Sequence, residues 1–102
     1  MRNIKWSSLA NQTFLSSIDY LQNQFGETVA RDFFLEVEMA TELIQNNPLM
    51  FPKTDVLGVR KCVLRKEMSL FYGFSEIEIR LLIFWDNRQD PKKLNEILTG
   101  GI

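Results

Sequence analysis

The chain has 102 residues, an apolar fraction of 45% and a net charge of −1, values that fit one soluble globular domain covering residues 1–102. It contains no histidine, which excludes a serine–histidine–aspartate triad and removes the commonest metal ligand. The single cysteine, Cys62, cannot form an internal disulfide. No apolar run reaches the about 18 residues that span a bilayer, and none follows the N-terminus as in a secretory signal. We therefore expect a cytoplasmic protein that uses no metal or other cofactor.

The positive charge is concentrated in the second half of the chain. Residues 1–52 hold three basic and six acidic side chains, whereas residues 53–102 hold nine basic and seven acidic ones. The second half could therefore bind a polyanion locally. Its excess of basic over acidic side chains is too small, however, to predict strong non-specific nucleic-acid binding.

The first half predicts a short strand followed by two helices. Residues 4–6 alternate as a strand does, and Ser7 or Ser8 can cap the helix that follows. Gly26 is expected to end this helix, and Thr28 to cap a second one that runs to about Gln45. The two apolar stripes that should form the core are Ala10, Phe14, Ile18, Leu21 and Phe25, and then Val29, Phe33, Val37, Ala40 and Ile44 with Phe34 widening the second. A loop this short predicts an antiparallel helical hairpin.

The second half changes to strand periodicity. Asn47-Pro48 stops the second helix, and residues 49–52 form an apolar connector. Residues 59–65, 70–75 and 77–85 then predict three strands in an antiparallel meander. Strict alternation in the third would direct one set of side chains to the helices and Leu82 and Phe84 to the opposite face, the first set being Ile77, Ile79, Leu81, Ile83 and Trp85.

A last short helix is predicted at residues 91–98, with Asp90 as its N-cap and Pro91 at its first position. The expected fold is therefore α+β, of order β-α-α-β-β-β, with the hairpin on one face of a small, mainly antiparallel sheet and a short C-terminal helix.

Polar residues delivered by the last strand are the first candidates for a functional surface. They directly follow the most apolar strand and comprise Asp86, Asn87, Arg88 and Gln89. Arg60, at the start of the first meander strand, could meet Arg88 at one end of the sheet, and the two would bind an acidic surface. Alternatively, Arg88 pairs with Asp86 or Asp90 and pins the turn. Tyr72 fits a half-buried sheet position better than a catalytic acid, and Cys62 fits a small core residue.

The sequence resembles the RelE/ParE superfamily of toxins from bacterial type II toxin–antitoxin systems, which includes plasmid stabilisation proteins. The resemblance covers almost the whole chain and is most specific in its last segment. It rests on Ile4-Lys5-Trp6-Ser7, Ala10…Ile18…Tyr20-Leu21, Asn47-Pro48…Phe51-Pro52, Val59-Arg60-Lys61-Cys62-Val63-Leu64, Leu70-Phe71-Tyr72 and Phe84-Trp85-Asp86-Asn87-Arg88-Gln89-Asp90-Pro91-Lys92-Lys93-Leu94.

The resemblance implies a growth-inhibiting toxin that a cognate antitoxin wraps and neutralises. RelE-like members cleave messenger RNA in the ribosomal A site and need cationic side chains for the transition state. ParE-like members instead bind and poison DNA gyrase. The resemblance leaves open whether the pair forms a heterotetramer or is built on a homodimer, and it implies no membrane partner.

Three features favour the ParE-like branch. The chain has no histidine, its net charge is slightly acidic, and nothing after Lys93 supplies a terminal aromatic or basic group for a scissile phosphate. Target binding would then use Arg60, Asp86, Arg88 and Gln89. The alternative is a ribosome-dependent endoribonuclease that uses Arg60, Arg80 and Arg88, with Tyr72 assisting. A third reading is a non-toxic domain of the same fold that only binds its partner.

Overall fold

In the computed structural model, residues 1–65 and 67–100 are described, and they form four strands and three helices. The order along the chain matches the one expected from the sequence. The elements are β1 (Asn3–Trp6), α1 (Ser8–Phe25), α2 (Glu27–Asn46), β2 (Arg60–Arg65), β3 (Met68–Phe74), β4 (Glu78–Asp86) and α3 (Pro91–Leu98).

The four strands form one mixed sheet in the order β1-β4-β3-β2. Strands β2, β3 and β4 make the predicted antiparallel meander, and β1 lies parallel to β4 with Ile4 opposite Ile79. The helical hairpin carries the chain from β1 across the sheet to β2, and this long crossover makes a parallel pair possible.

Local capping explains where the helices begin and end. The Ser7 side chain accepts a hydrogen bond from the Ala10 amide at 2.9 Å, and the Asp90 side chain accepts one from the Lys92 amide at 2.9 Å, as predicted for both helix starts. Gly26 has a φ of 96°, a conformation in which glycine lacks the steric cost of other residues. The predicted Thr28 cap is wrong, because Gly26 turns the chain at once and α2 begins at Glu27.

The main core lies between the helical hairpin and one face of the sheet. Its fully buried side chains come from both helices of the hairpin and from the sheet. They include Ala10, Phe33, Ile44, Leu70, Tyr72, Ile79 and Leu81. Two phenylalanines assigned to the core by periodicity are exposed instead, since Phe25 keeps 62% and Phe34 46% of its surface accessible.

A β-bulge in β4 overturns the predicted alternation of that strand. Phe71 pairs with Ile83, but Tyr72 pairs with Leu81, so Leu82 is the extra residue. Beyond the bulge the two faces exchange. Phe84 therefore packs in the core under the helices, and Ile83 packs in a second cluster on the opposite face.

Helix α1 satisfies the backbone groups that the bulge frees from the ladder. The Ser7 hydroxyl donates to the Leu82 carbonyl oxygen at 2.8 Å. The Phe84 amide donates to Thr13 Oγ1 at 3.0 Å. Because an unpaired buried amide is costly, these two hydroxyls hold the bulge in place.

The second apolar cluster partly covers the other face of the sheet. Phe71, Ile83 and Trp85 are buried there, and Leu94 and Ile97 of α3 pack against them. Among the residues described, no helix is long and apolar enough to cross a membrane.

Candidate functional site

A groove of about 690 Å³ opens beside α1, at the end of the sheet where β4 finishes. It is bounded by α1, the first turn of α2, the ends of β2 and β4, and the start of β3. Its apolar lining includes Tyr20, Leu21, Phe25, Val29, Met68 and Phe84. Phe25 and Tyr20 project from the last two turns of α1, and their rings meet edge to face at 6.3 Å. The groove therefore has an aromatic wall that the fold leaves uncovered.

Arg88 lies on the rim of this groove and is held by its own loop. Its Nε and Nη2 atoms donate to Asp86 Oδ1 at 3.0 Å and to Oδ2 at 2.7 Å, and its amide also donates to Oδ1 at 2.9 Å. Glu67 approaches the guanidinium at 3.5 Å. The hydrogen bonds that Arg88 donates to Asp86 lower the pKa of Asp86 despite partial desolvation, and they raise the pKa of Arg88 itself. The predicted Asp86–Arg88 pair is present.

Further hydrogen bonds fix the loop that carries Arg88 and Gln89. The Asn87 amide donates to the Glu67 carbonyl oxygen at 2.7 Å, and the Ser69 hydroxyl donates to Asn87 Oδ1 at 3.1 Å. The Gln89 amide donates to the Asp86 carbonyl oxygen at 3.0 Å, which closes a tight turn. Asp86, Arg88 and Gln89 all line the groove, so three of the four predicted target-binding residues share one surface.

Arg60, the fourth, lies at the opposite end of the sheet. Arg60 is paired with Tyr72 on β3, whereas Asp86 is paired with Met68, four residues earlier in that strand. The expectation that Arg60 and Arg88 meet is therefore wrong. The two strands that carry them run in the same direction, and one arginine begins its strand while the other follows the end of its own.

Arg60 holds the connector between α2 and β2. Its Nη1 atom donates to the Phe51 carbonyl oxygen at 2.7 Å and lies 3.4 Å from that of Leu49. Its guanidinium also lies over the Phe74 ring, 5.9 Å from the centroid. These contacts give Arg60 a structural role in holding the connector.

Tyr72 is fully buried beneath the same connector, more deeply than the half-buried position expected of it. Its hydroxyl donates to the Pro48 carbonyl oxygen at 2.7 Å. Burial raises its pKa to about 12, although Arg60 opposes the shift. A hydroxyl that is enclosed, hydrogen-bonded and ionised only at high pH is poorly placed to meet a phosphate, which argues against the predicted assistance of Tyr72 in catalysis.

Arg80 lies on the face of the sheet away from the helices. It is exposed and lies opposite Gly73 of the neighbouring strand β3. Its Nη1 atom lies 3.7 Å from Glu78 Oε2. A Cβ on Gly73 would lie 3.1 Å from Arg80 Nη2 and 2.9 Å from the Gly58 carbonyl oxygen, so glycine makes room for both. The four residues of the predicted nuclease set thus occupy three separate places.

The structure offers little for a metal or a reactive thiol. In residues 1–65 and 67–100, no group of three or more cysteine, aspartate or glutamate side chains is placed to hold a metal ion. Cys62 is buried in the main core, and desolvation raises its pKa to about 11. It is a core residue, as its sequence context predicts.

Sequence reasoning missed the groove wall, although one signal was present. Tyr20 stands off the predicted stripe of α1, and Phe25 is the last residue of the helix before Gly26. An aromatic residue at a helix end, with nothing predicted to cover it, could have marked a surface for a partner.

A scan against protein-family models and a search of curated proteins each find no match. Solved structures do match. A chain from the chromosomal ParDE toxin–antitoxin system of P. aeruginosa aligns with a TM-score of 0.73 and 20% identity, over 84% of this chain and 96% of that one. This protein has the fold of the RelE/ParE toxins.

Two further solved structures share this fold. The E. coli DinJ–YafQ complex gives a TM-score of 0.58 at 15% identity, over 84% of this chain and 93% of that chain. The YoeB dimer from Staphylococcus aureus gives 0.59 at 15% identity, over 82% and 94%. The similarity to RelE/ParE toxins predicted from sequence is confirmed at the level of the fold.

Proposed function

We propose that this protein is the toxin of a type II toxin–antitoxin pair and that it acts by binding a cellular target, with DNA gyrase as the first candidate. The fold supports the toxin assignment, because the similar structures include ParDE and DinJ–YafQ chains. The choice of a non-enzymatic mechanism rests on one observation. Arg60, Tyr72, Arg80 and Arg88 do not surround a common point where a phosphate could sit.

The separation argues against phosphoryl chemistry by this set of residues, because the transition state is stabilised by several donors around one group of oxygens. Tyr72 points into the core, Arg80 stands on the opposite face, and Arg88 is committed to Asp86 at the far end of the sheet. The rim loop, in contrast, presents Arg88 and Gln89 on a rigid turn. Such a surface suits recognition of a folded protein.

The groove is the site proposed for the antitoxin. Its floor is apolar, and its rim carries both signs of charge in the pairs Arg88–Asp86 and Arg65–Glu36, the latter joined by contacts of 3.1 and 3.2 Å. An amphipathic helix that lays its apolar side chains against Phe25 and Met68 would match this lining. The same helix would cover Arg88 and Gln89, so antitoxin and target would compete for one surface.

Neutralisation tests the groove directly. The chain should arrest growth when induced alone, and a neighbouring gene product should relieve the arrest. Phe25→Ser should leave toxicity intact and weaken neutralisation, because Phe25 is 62% exposed and supports the groove more than the core. Leu57→Ser is the matched control, since Leu57 is 99% exposed and does not line the groove. Equal neutralisation of both variants would contradict the assignment.

The target is tested with the purified, antitoxin-free chain and gyrase supercoiling. We expect inhibition by the wild type and a reduced effect for Arg88→Ala and for Gln89→Ala. Full inhibition by both variants would remove the rim loop from the target surface.

One observation keeps a ribonuclease as the second candidate. Lys5, Lys61 and Arg80 lie on the face of the sheet away from the hairpin, with Lys61 Nζ 5.9 Å from the centre of the Phe71 ring. A nuclease that worked on this face of the sheet would use these cations. Loss of toxicity in Lys61→Ala and Arg80→Ala, with Arg88→Ala fully toxic, would favour it.

A further inference from the structure

Helix α2 carries a second apolar stripe that belongs to neither of the two hydrophobic clusters found among the described residues and remains largely exposed. Leu35, Met39 and Leu43 follow one another at four-residue spacing, so they lie in line along the helix. Their exposed fractions are 48%, 66% and 45%. The core-facing residues of α2 are a different set: Ala30, Phe33, Val37, Ala40 and Ile44. None of the three exposed side chains lines the groove.

The stripe is bordered by carboxylates. Helical spacing places Glu38 and Glu42 along one flank, where Arg31 also lies one turn before Leu35, and Glu36 along the other, with Asp32 at the N-terminal end of the row. Over its whole length α2 has five acidic side chains, and Arg31 is its one basic residue. Glu36 is engaged by Arg65 of the sheet edge, whereas Asp32, Glu38 and Glu42 are exposed.

We propose that this α2 stripe is the docking surface for a basic amphipathic helix of a partner protein. Large apolar side chains at intervals of one helical turn are met by apolar residues at the same spacing on a second helix. The acidic flanks of α2 favour a partner helix that carries lysine or arginine beside its own apolar row. Opposite charges at the rim of an interface speed association, whereas acidic residues on the partner would be repelled.

The same charges argue against other occupants. A second copy of this chain would set one acidic α2 against another, and a single arginine on each helix cannot balance five carboxylates. An anionic membrane surface would be repelled in the same way. The apolar row itself lies outside the proposed antitoxin groove, which it approaches only through the Arg65–Glu36 pair, so the inference does not depend on the proposed function.

Binding of two model peptides to the full chain tests the proposal. Both are amphipathic helices of about 18 residues, five helical turns, one made of leucine and lysine and the other of leucine and glutamate. Fluorescence anisotropy should show binding of the lysine peptide that weakens at high salt, with the glutamate peptide at least about tenfold weaker.

Three variants locate the binding site. Met39→Gln removes the central apolar side chain without disturbing helix propensity, and Glu38→Gln with Glu42→Gln removes one charged flank. Each should weaken lysine-peptide binding by about tenfold or more. The control Leu57→Ser should bind as the wild type does.

Other results would overturn the proposal. Undiminished binding by Met39→Gln, or absence of lysine-peptide binding to the wild type, would show that the stripe is not a docking surface. Weaker binding in Phe25→Ser alone would place the peptide in the groove. A wild-type dimer in sedimentation that Met39→Gln converts to a monomer would identify a second copy as the occupant.

Discussion

The β-bulge in β4 is tested most sharply by a substitution at Phe84, which the bulge places in the core. Only 3% of Phe84 is exposed, and its ring centroid lies 5.4 Å from those of Trp6 and Phe14 and 6.5 Å from that of Phe33. Replacement by alanine leaves a cavity at the centre of this aromatic cluster. We expect Phe84→Ala to lower the free energy of unfolding by roughly 3–5 kcal/mol.

Leu82 provides the matched control. In a strand without the bulge, Leu82 and Phe84 would share a face and a similar degree of burial. In the structure Leu82 is half-buried and packs against the second apolar cluster. Leu82→Ala should therefore lower the free energy of unfolding by only about 1–2 kcal/mol.

Urea denaturation measures both variants against the wild type. Domains of this size have about 5–15 kcal/mol of stability in total, so the difference between the two variants should be large against the experimental error. Equal losses for the two variants, or a larger loss for Leu82→Ala, would refute the bulge and the exchange of faces beyond it.

Three further predictions follow from hydrogen bonds and titration. Thr13→Val should lower the free energy of unfolding by about 1–3 kcal/mol in urea denaturation, because it leaves the buried Phe84 amide without an acceptor. An unchanged urea midpoint would show that α1 does not hold the bulge. Stability should fall as pH rises from 10 to 12, since unfolded Tyr72 ionises near its ordinary pKa of 10 while the folded hydroxyl keeps its proton to about 12. Tyr72→Phe should flatten that part of the pH profile, and an unaltered profile would assign the loss to other groups. Arg88→Ala should raise the pKa of Asp86 towards its ordinary value of 3.8 in an NMR titration, whereas a pKa that stays low would mean that Arg88 is not its cause.

Much of the fold follows from local patterns in the sequence. Apolar residues at helical spacing, the Ser7 cap, Gly26 and the Asp90-Pro91 pair each act within a few residues, and they place the helices correctly. The strand–helix–helix–strand order then restricts the ways in which the sheet can form.

The bulge and the exposed aromatic residues depend on contacts that are distant in the sequence. Leu82 looks like any other apolar strand residue, and the groups that stabilise its bulge, Ser7 and Thr13, lie about seventy residues earlier. Phe25 fits the stripe of α1, but it is the last residue of the helix and its side chain is left exposed. Periodicity cannot reveal where a partner element stops.

The site residues likewise divide into those placed by local sequence and those placed by contacts distant in the sequence. The Asp86–Arg88 pair forms within three residues of chain, and the sequence predicts it as one of two interpretations. The separation of Arg60 from Arg88 depends on the direction of three strands and on their register, which residue types alone do not specify.

The central claim is that the protein inhibits growth without cutting messenger RNA, and primer extension on messenger-programmed ribosomes tests it most directly. Purified antitoxin-free chain, from a preparation that arrests growth, should leave the messenger intact. Discrete cuts at the A-site codon that disappear in Lys61→Ala or Arg80→Ala would contradict the account and make the protein an endoribonuclease.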